Sequence, residues 1–156
     1  MTEAEQVLGL ARVLIENGKF QRARKLLSTL VGAQQPEALY MAAHFSACED
    51  ESTQQFEQRH KQQLQIAADG GYAPALYLMG VYHEVGDYYQ RDLLKAAQLF
   101  RQAANAGHPE AWLDHGINMF YGSNGITENA IAGLAMIHLA ADAGVDRATD
   151  FLRHFS

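Results

Sequence analysis

Gln102-Ala103-Ala104-Asn105-Ala106-Gly107-His108-Pro109-Glu110-Ala111 reads as the end of one helix and the start of the next. Gly107 follows an alanine-rich stretch, where glycine takes the left-handed conformation that stops a helix. Pro109 opens the following segment, because its missing N–H has no intrahelical partner in a first turn. The same punctuation recurs on both sides. Ile66-Ala67-Ala68-Asp69-Gly70-Gly71 leads to Pro74 and Ala75, and Leu139-Ala140-Ala141-Asp142-Ala143-Gly144 leads to Ala148. Ala38, Ala75, Ala111 and Ala148 lie 37, 36 and 37 residues apart, and Gly71, Gly107 and Gly144 lie 36 and 37 apart. A fixed period in the range of about 20–50 residues marks a stacked repeat array.

The period divides the chain into A helices and B helices. A helices are expected over about 3–16, 36–48, 73–85 and 109–121, and B helices over about 20–31, 53–69, 90–106 and 127–143. Breaks separate A from B at Asn17-Gly18, Glu49-Asp50-Glu51-Ser52, Gly86-Asp87 and Gly122-Ser123-Asn124-Gly125. The connection over 122–129 is the longest and richest in glycine, which marks it as either a mobile loop or one that reaches a ligand. A tail over 146–156 carries Phe151, Leu152 and Phe155, the apolar residues a terminal cap needs. The expected fold is all-α: a right-handed α-solenoid of four helix-turn-helix repeats (3–32, 36–71, 73–107 and 109–144) plus a C-terminal capping helix, in one domain.

Gly80 and Gly116, with Ala11 and Ala43 at equivalent places, let an A helix lie close against its B helix. Tyr77, Leu99, Phe100, Trp112, Leu113, Met136 and Leu139 are expected to fill the layers between.

Composition narrows the function. The chain has 156 residues, is 48% hydrophobic and carries a formal charge of −6. Nucleic-acid binding is dominated by contacts from Lys and Arg to phosphate, so an acidic balance argues against it. Cys48 is the single cysteine, which excludes an intrachain disulfide. Glu3 and Glu5 stand where a secretory leader carries positive charge, and Arg12 interrupts the first apolar run. The most apolar segment, residues 130–145, contains His138 and Asp142 and is shorter than the roughly 20 residues a membrane span needs. These features lead to the expectation of a cytoplasmic protein with no membrane partner.

Beyond the period, the residues resemble a known family. Ala75-x-Tyr77-x-Met79-Gly80, Gly86, then Lys95-Ala96-Ala97, Phe100, Ala103-Ala104 and Gly107-His108 resemble a SEL1-like repeat. Ala111, His115-Gly116, Tyr121-Gly122, Ala140-Ala141 and Gly144 resemble a second. The stretch from Ala38 to Gly71 is similar to a degenerate third: it keeps Tyr40, Ala43 and Ala67-Ala68 but lacks the glycines of the A–B turn. Residues 7–30 are closer to a tetratricopeptide repeat. Families of this kind serve as scaffolds, adaptors and toxin-neutralising proteins, so the resemblance implies a fold and a class of role.

No catalytic set is visible, and no cofactor is expected. His44, His60, His83, His108, His115, His138 and His154 show no pair at the i, i+4 spacing that aims two imidazoles at one zinc. His44 and Cys48 have that spacing but supply only two ligands. Lys19, Arg22, Arg24 and Lys25 form a basic cluster on the first B helix, expected as a solvated outer face.

A stacked array offers a protein or peptide partner the concave face lined by its A helices. Counting from the small crossing residues places Arg12, Glu16, Tyr40, His44, Tyr77, Glu84, Asp114 and Tyr121 on that face, with Leu8, Val81, Leu113 and Ile117 on the same stripe. The leading expectation is a non-enzymatic protein-interaction module such as a bacterial adaptor. The alternative is an immunity protein neutralising a cognate toxin, and a remote one is an enzyme with an unrecognised site.

Overall fold

The computed structural model describes residues 1–155, and Ser156, the last residue of the expected cap, lies outside the described residues. Among the described residues there are nine helices and no strand. They are α1 (Glu3–Glu16), α2 (Phe20–Gly32), α3 (Pro36–Ala42), α4 (Thr53–Asp69), α5 (Ala73–Val85), α6 (Leu93–Asn105), α7 (Pro109–Tyr121), α8 (Ala130–Asp142) and α9 (Asp146–Arg153). The expected single domain divides into two compact units, Met1–Ala75 and the part from Leu76 onward. No described helix is long and apolar enough to cross a membrane.

The punctuation read from the sequence works as the physics requires. Pro36 and Pro109 stand in the first turns of α3 and α7. Gly71, Gly107 and Gly144 stop α4, α6 and α8 with φ of +80°, +89° and +90°, where a side chain would be strained. Caps set the starts of the other helices. Thr2 and Glu5 form a reciprocal capping box on α1, and Ser52 and Gln55 form another on α4. Asp92 accepts from the Lys95 backbone N–H at 2.9 Å, and Asn129 accepts from that of Ala132 at 3.0 Å. These two caps hold α6 and α8 to starts at 93 and 130, three residues later than the expected 90 and 127, because a side chain that caps lies outside the helix it caps.

In the first unit α1 packs on α2, and α3 packs on both α2 and α4. Leu8, Ala11, Ala23, Leu27, Ala38, Met41, Ala42 and Phe45 form its core. Leu8 is therefore core and not part of an exposed stripe. In the second unit α6 packs on α7, α7 on α8, and α8 on α9. Leu113, Ile137, Ala140 and Ala148 are its centre, with Trp112, Val145, Phe151 and Leu152 packed around them. Leu99, Phe100 and Leu113 are buried as expected, but Leu139 is 51% exposed. It stands on the opposite side of α8 from Ile137 and Ala140, one residue off the buried stripe.

Helix α3 departs most from expectation. It ends at Ala42, six residues short of the expected 48. Its terminal carbonyls are taken over by α4. Arg59 donates through Nη1 to the Ala42 carbonyl at 2.9 Å and through Nη2 to that of Phe45 at 2.7 Å. His60 Nδ1 donates to the Ala43 carbonyl at 2.7 Å. Carbonyls satisfied from the side need no further helical turn. Glu51 locks the guanidinium, accepting from Nε at 2.7 Å and Nη2 at 3.0 Å, and it also accepts the Ala47 N–H at 2.8 Å. His44 and Cys48 therefore lie in the turn beyond α3 and share no helix face.

The closest helix approach is between α7 and α8. A Cβ on Gly133 would come within 2.6 Å of the Gly116 carbonyl oxygen and 2.7 Å of the Phe120 nitrogen. A Cβ on Gly116 would meet the Gly133 carbonyl at 2.9 Å. At Gly80 the obstacle is a side chain, Phe100 Cε1 at 2.6 Å. A ring can tilt where a backbone cannot. Gly133→Ala is thus expected to destabilise the protein by about 2 kcal/mol or more, and Gly116→Leu by at least as much, because both overpack a backbone crossing. Gly80→Ala should cost less. Chemical denaturation measures all three, and wild-type midpoints for Gly133→Ala and Gly116→Leu would contradict the crossing.

The Arg59–Glu51 lock carries a second expectation. Arg59→Ala leaves the Ala42 and Phe45 carbonyls, the Glu51 carboxylate and the Gln63 amide oxygen without their donor and should cost about 3 kcal/mol or more. The Arg59 hydrogen bond lowers the pKa of Glu51 below its ordinary 4.5. A depressed carboxylate contributes stability that is present above its unfolded pKa and is lost as pH falls through its folded one. Wild type should therefore lose more stability than Glu51→Gln on acidification below about pH 4.5, as read by urea titrations at each pH.

Candidate functional site

Four of the residues assigned to the A-helix face come together in the first unit. Arg12 and Glu16 from α1, Tyr40 from α3 and His44 just beyond it line an open groove of about 250 Å³. Ile15 and Met41 complete it. Both were invisible to a count that followed the charged and aromatic positions, although each neighbours a residue of the stripe. The groove is apolar at its base and charged at its rim. Arg12 is tied to Glu37 in an ion pair, and that hydrogen bond raises the guanidinium pKa.

Aromatic rings extend from this groove as a chain of contacts. Tyr72 meets Tyr40 at 5.3 Å between ring centroids, Tyr40 meets His44 at 4.6 Å, His44 meets His60 at 5.4 Å, and His60 stacks on Phe56 at 5.8 Å. His44 Nδ1 lies 2.6 Å from the Tyr40 carbonyl oxygen. A carbonyl only accepts, so Nδ1 carries the proton and Nε2 is left as an acceptor in the neutral ring. Partial burial lowers the His44 pKa, so the ring is neutral near pH 7. Burial also raises the Tyr40 phenol and pushes Tyr72 up to about 12. Tyr40 and His44, the two rings that line the groove, are thus uncharged, a good surface for apolar and aromatic side chains.

The remaining four residues fall in the second unit and separate into two places. Tyr77, Glu84 and Asp114 gather around one recess. Tyr77 donates its hydroxyl to Asp114 Oδ2 at 3.0 Å, and Arg147 of α9 reaches Asp114 Oδ1 at 3.3 Å. Glu84 and Asp114 line a recess of about 260 Å³ with Phe100, Asn118, Ser123, Asn124 and Arg147. Burial raises the Asp114 pKa against the pull of Arg147 and Tyr77. Burial, then the neighbouring Asp114, raises that of Glu84. In both, burial is the leading cause, and it disfavours the charged carboxylate. Tyr121 is not part of this recess. It is 56% exposed and packs edge-on against Phe120, at 4.8 Å between centroids, in the aromatic cluster of α7 and α9. Seven residues past Asp114 it stays on nearly the same side of α7 but lies about 10 Å further along, at the last residue of the helix and beyond the recess.

Sequence reasoning missed Asn118 and Arg147. Asn118 is buried, and its Oδ1 accepts from Ser123 Oγ and Asn124 Nδ2, both at 2.9 Å. The Asn129 N–H adds a bond to the Met119 carbonyl at 2.7 Å. The loop over 122–129 is thereby pinned to α7 and supplies one wall of the recess. Its glycines had marked a turn, but a polar residue in mid-helix gave the only hint of the anchor. Among the described residues no group of three or more His, Cys, Asp and Glu could hold a metal ion.

No family model and no curated protein matches this sequence. Solved structures do match. A Sel1 repeat protein from Oxalobacter formigenes aligns with a TM-score of 0.74 at 25% identity, over 88% of this chain and 39% of that one. A protective antigen present in uropathogenic Escherichia coli strains, which displays an SLR fold, aligns with a TM-score of 0.64 at 23% identity, over 80% of this chain and 26% of that one. Cysteine rich protein B of Helicobacter pylori aligns with a TM-score of 0.59 at 19% identity, over 85% and 94%. This chain spans less than half the length of the first two. It reaches the shared fold with a single cysteine. By its helices, its punctuation and these likenesses, the chain has the SEL1-like repeat fold.

Proposed function

We propose that this protein is a non-enzymatic interaction module that holds a protein or peptide partner on the exposed faces of its A helices. The observation that carries the reading is the convergence of Arg12, Glu16, Tyr40 and His44 on one groove. Charged groups rim it, neutral aromatic rings wall it, and no nucleophile–base pair stands in it. Such a mixture suits recognition of side chains. The formal charge of −6 supports a basic partner, whose approach an acidic protein would accelerate.

Within this class the adaptor reading and the immunity reading differ in what the partner does. The acidic balance supports the second, because capture of a basic toxin gains from charge complementarity. A captured partner that kills cells lacking this chain identifies an immunity protein. A harmless one identifies an adaptor in the cytoplasm.

The test is affinity capture from the native cell, followed by a dissociation constant for the recovered partner. Tyr40→Ala and His44→Ala are expected to raise Kd by about tenfold or more each, since truncated aromatic anchors commonly cost upwards of about 1.4 kcal/mol. Helicity should be unchanged. Reversing Lys19, Arg22 and Lys25 should leave Kd within about twofold. A partner that ignores the groove variants and responds to the basic cluster would refute the reading.

A further inference from the structure

A second recess in the first unit shares no lining residue with that groove. It measures about 220 Å³ and lies among α2, the turn after α3, and α4. Val31, Ala42, Phe45 and Ala47 give it apolar walls, and two arginines, Arg24 and Arg59, stand at its sides. The two are in opposite states. Arg59 is fully engaged, with both Glu51 oxygens, the carbonyls of Ala42 and Phe45, and the Gln63 amide oxygen, the last at 2.9 Å. Arg24 makes no hydrogen bond or ion pair with any described residue, and its Nε is buried without a partner. Glu51 is the nearby carboxylate, but Arg59 and the Ala47 N–H already hold both of its oxygens.

A buried N–H of a cation without an acceptor is costly unless something supplies one. An incoming carboxylate would supply it, and a charge-assisted bond of that kind is among the stronger ones. Apart from the two arginines, Ser28 and Gln63, its lining is apolar and favours an apolar body. We propose that this recess is a binding site for a small organic monocarboxylate, whose carboxylate takes the Arg24 Nε–H and whose apolar body lies against Val31, Ala42, Phe45 and Ala47. The site goes beyond the groove reading and stands whether or not a protein occupies that groove.

The probe is benzoate, titrated into isotope-labelled protein while the Arg24 Nε–H resonance is followed. A saturable downfield shift of that resonance is expected. Benzyl alcohol, with the same body and no charge, should produce none, and chloride should produce no saturable shift. Arg24→Gln should weaken benzoate binding about tenfold or more, the loss of one charge-assisted bond. Ser28→Leu keeps the arginine and fills the recess from the exposed face of α2, and it should abolish the shift without loss of helicity. A tripeptide ending in a free phenylalanine carboxylate, run against its amide, distinguishes a partner's chain end from a free acid as the source of the group. Absence of a saturable shift, its survival in Ser28→Leu, or an equal response to chloride would overturn the assignment.

Discussion

The constraint on which the rest depends is the close crossing of paired helices at residues with little or no side chain. At Gly116 and Gly133 the two backbones come so near that a methyl group on either would collide with main-chain atoms of the other. Nearness of that order excludes water and brings the flanking apolar side chains into register. Ile137 and Leu113 are almost wholly buried as a consequence. Crossings with alanine are looser. Ala11 and Ala43 are fully buried in the first unit, and larger side chains such as Leu27 and Leu64 fill the added space.

Where the repeat lost its turn glycines, a different interaction replaced them. Between α3 and α4 the chain has no glycine to reverse it, so helix α3 stops early and its carbonyls face α4. Arg59 is suited to this because a planar guanidinium offers five donors in a fixed fork. It reaches two carbonyls, an amide and a carboxylate from one position. The arrangement has a local consequence. Glu51 is consumed in holding Arg59, and the Nε–H of Arg24, on α2, is buried without a partner among the described residues. A structural repair in one place thus leaves an unsatisfied donor in another.

The groove and the recess differ in character for reasons that lie in their neighbours. The groove of the first unit is walled by the uncharged rings of Tyr40 and His44. The recess of the second carries two carboxylates, of which Asp114 is held by Tyr77 and Arg147. Arg147 comes from α9, outside the A helices that the repeat pattern identifies. A cap that closes a core also delivers a charge to the edge of the recess, so the end of the array takes part in its surface chemistry.

The sequence by itself determined the helical repeat, its period and most helix boundaries. Those follow from local physics: a left-handed conformation that glycine tolerates, a first turn that accepts proline, and a spacing that places small residues at crossings. It also paired Arg12 with Glu16 along α1 by helical periodicity, while the meeting of that pair with Tyr40 of α3 and His44 of the turn beyond it came from the packing. Tertiary structure decided the rest. The end of α3 depended on Arg59, seventeen residues away from the carbonyl it holds. The burial of Leu113 and the exposure of Leu139 depended on which flank of a helix met its neighbour. Arg24 looked like one member of a solvated basic cluster, and only tertiary packing around α2 withdrew its Nε from water. Such facts arise from groups distant in the chain and close in space, and no local pattern records them.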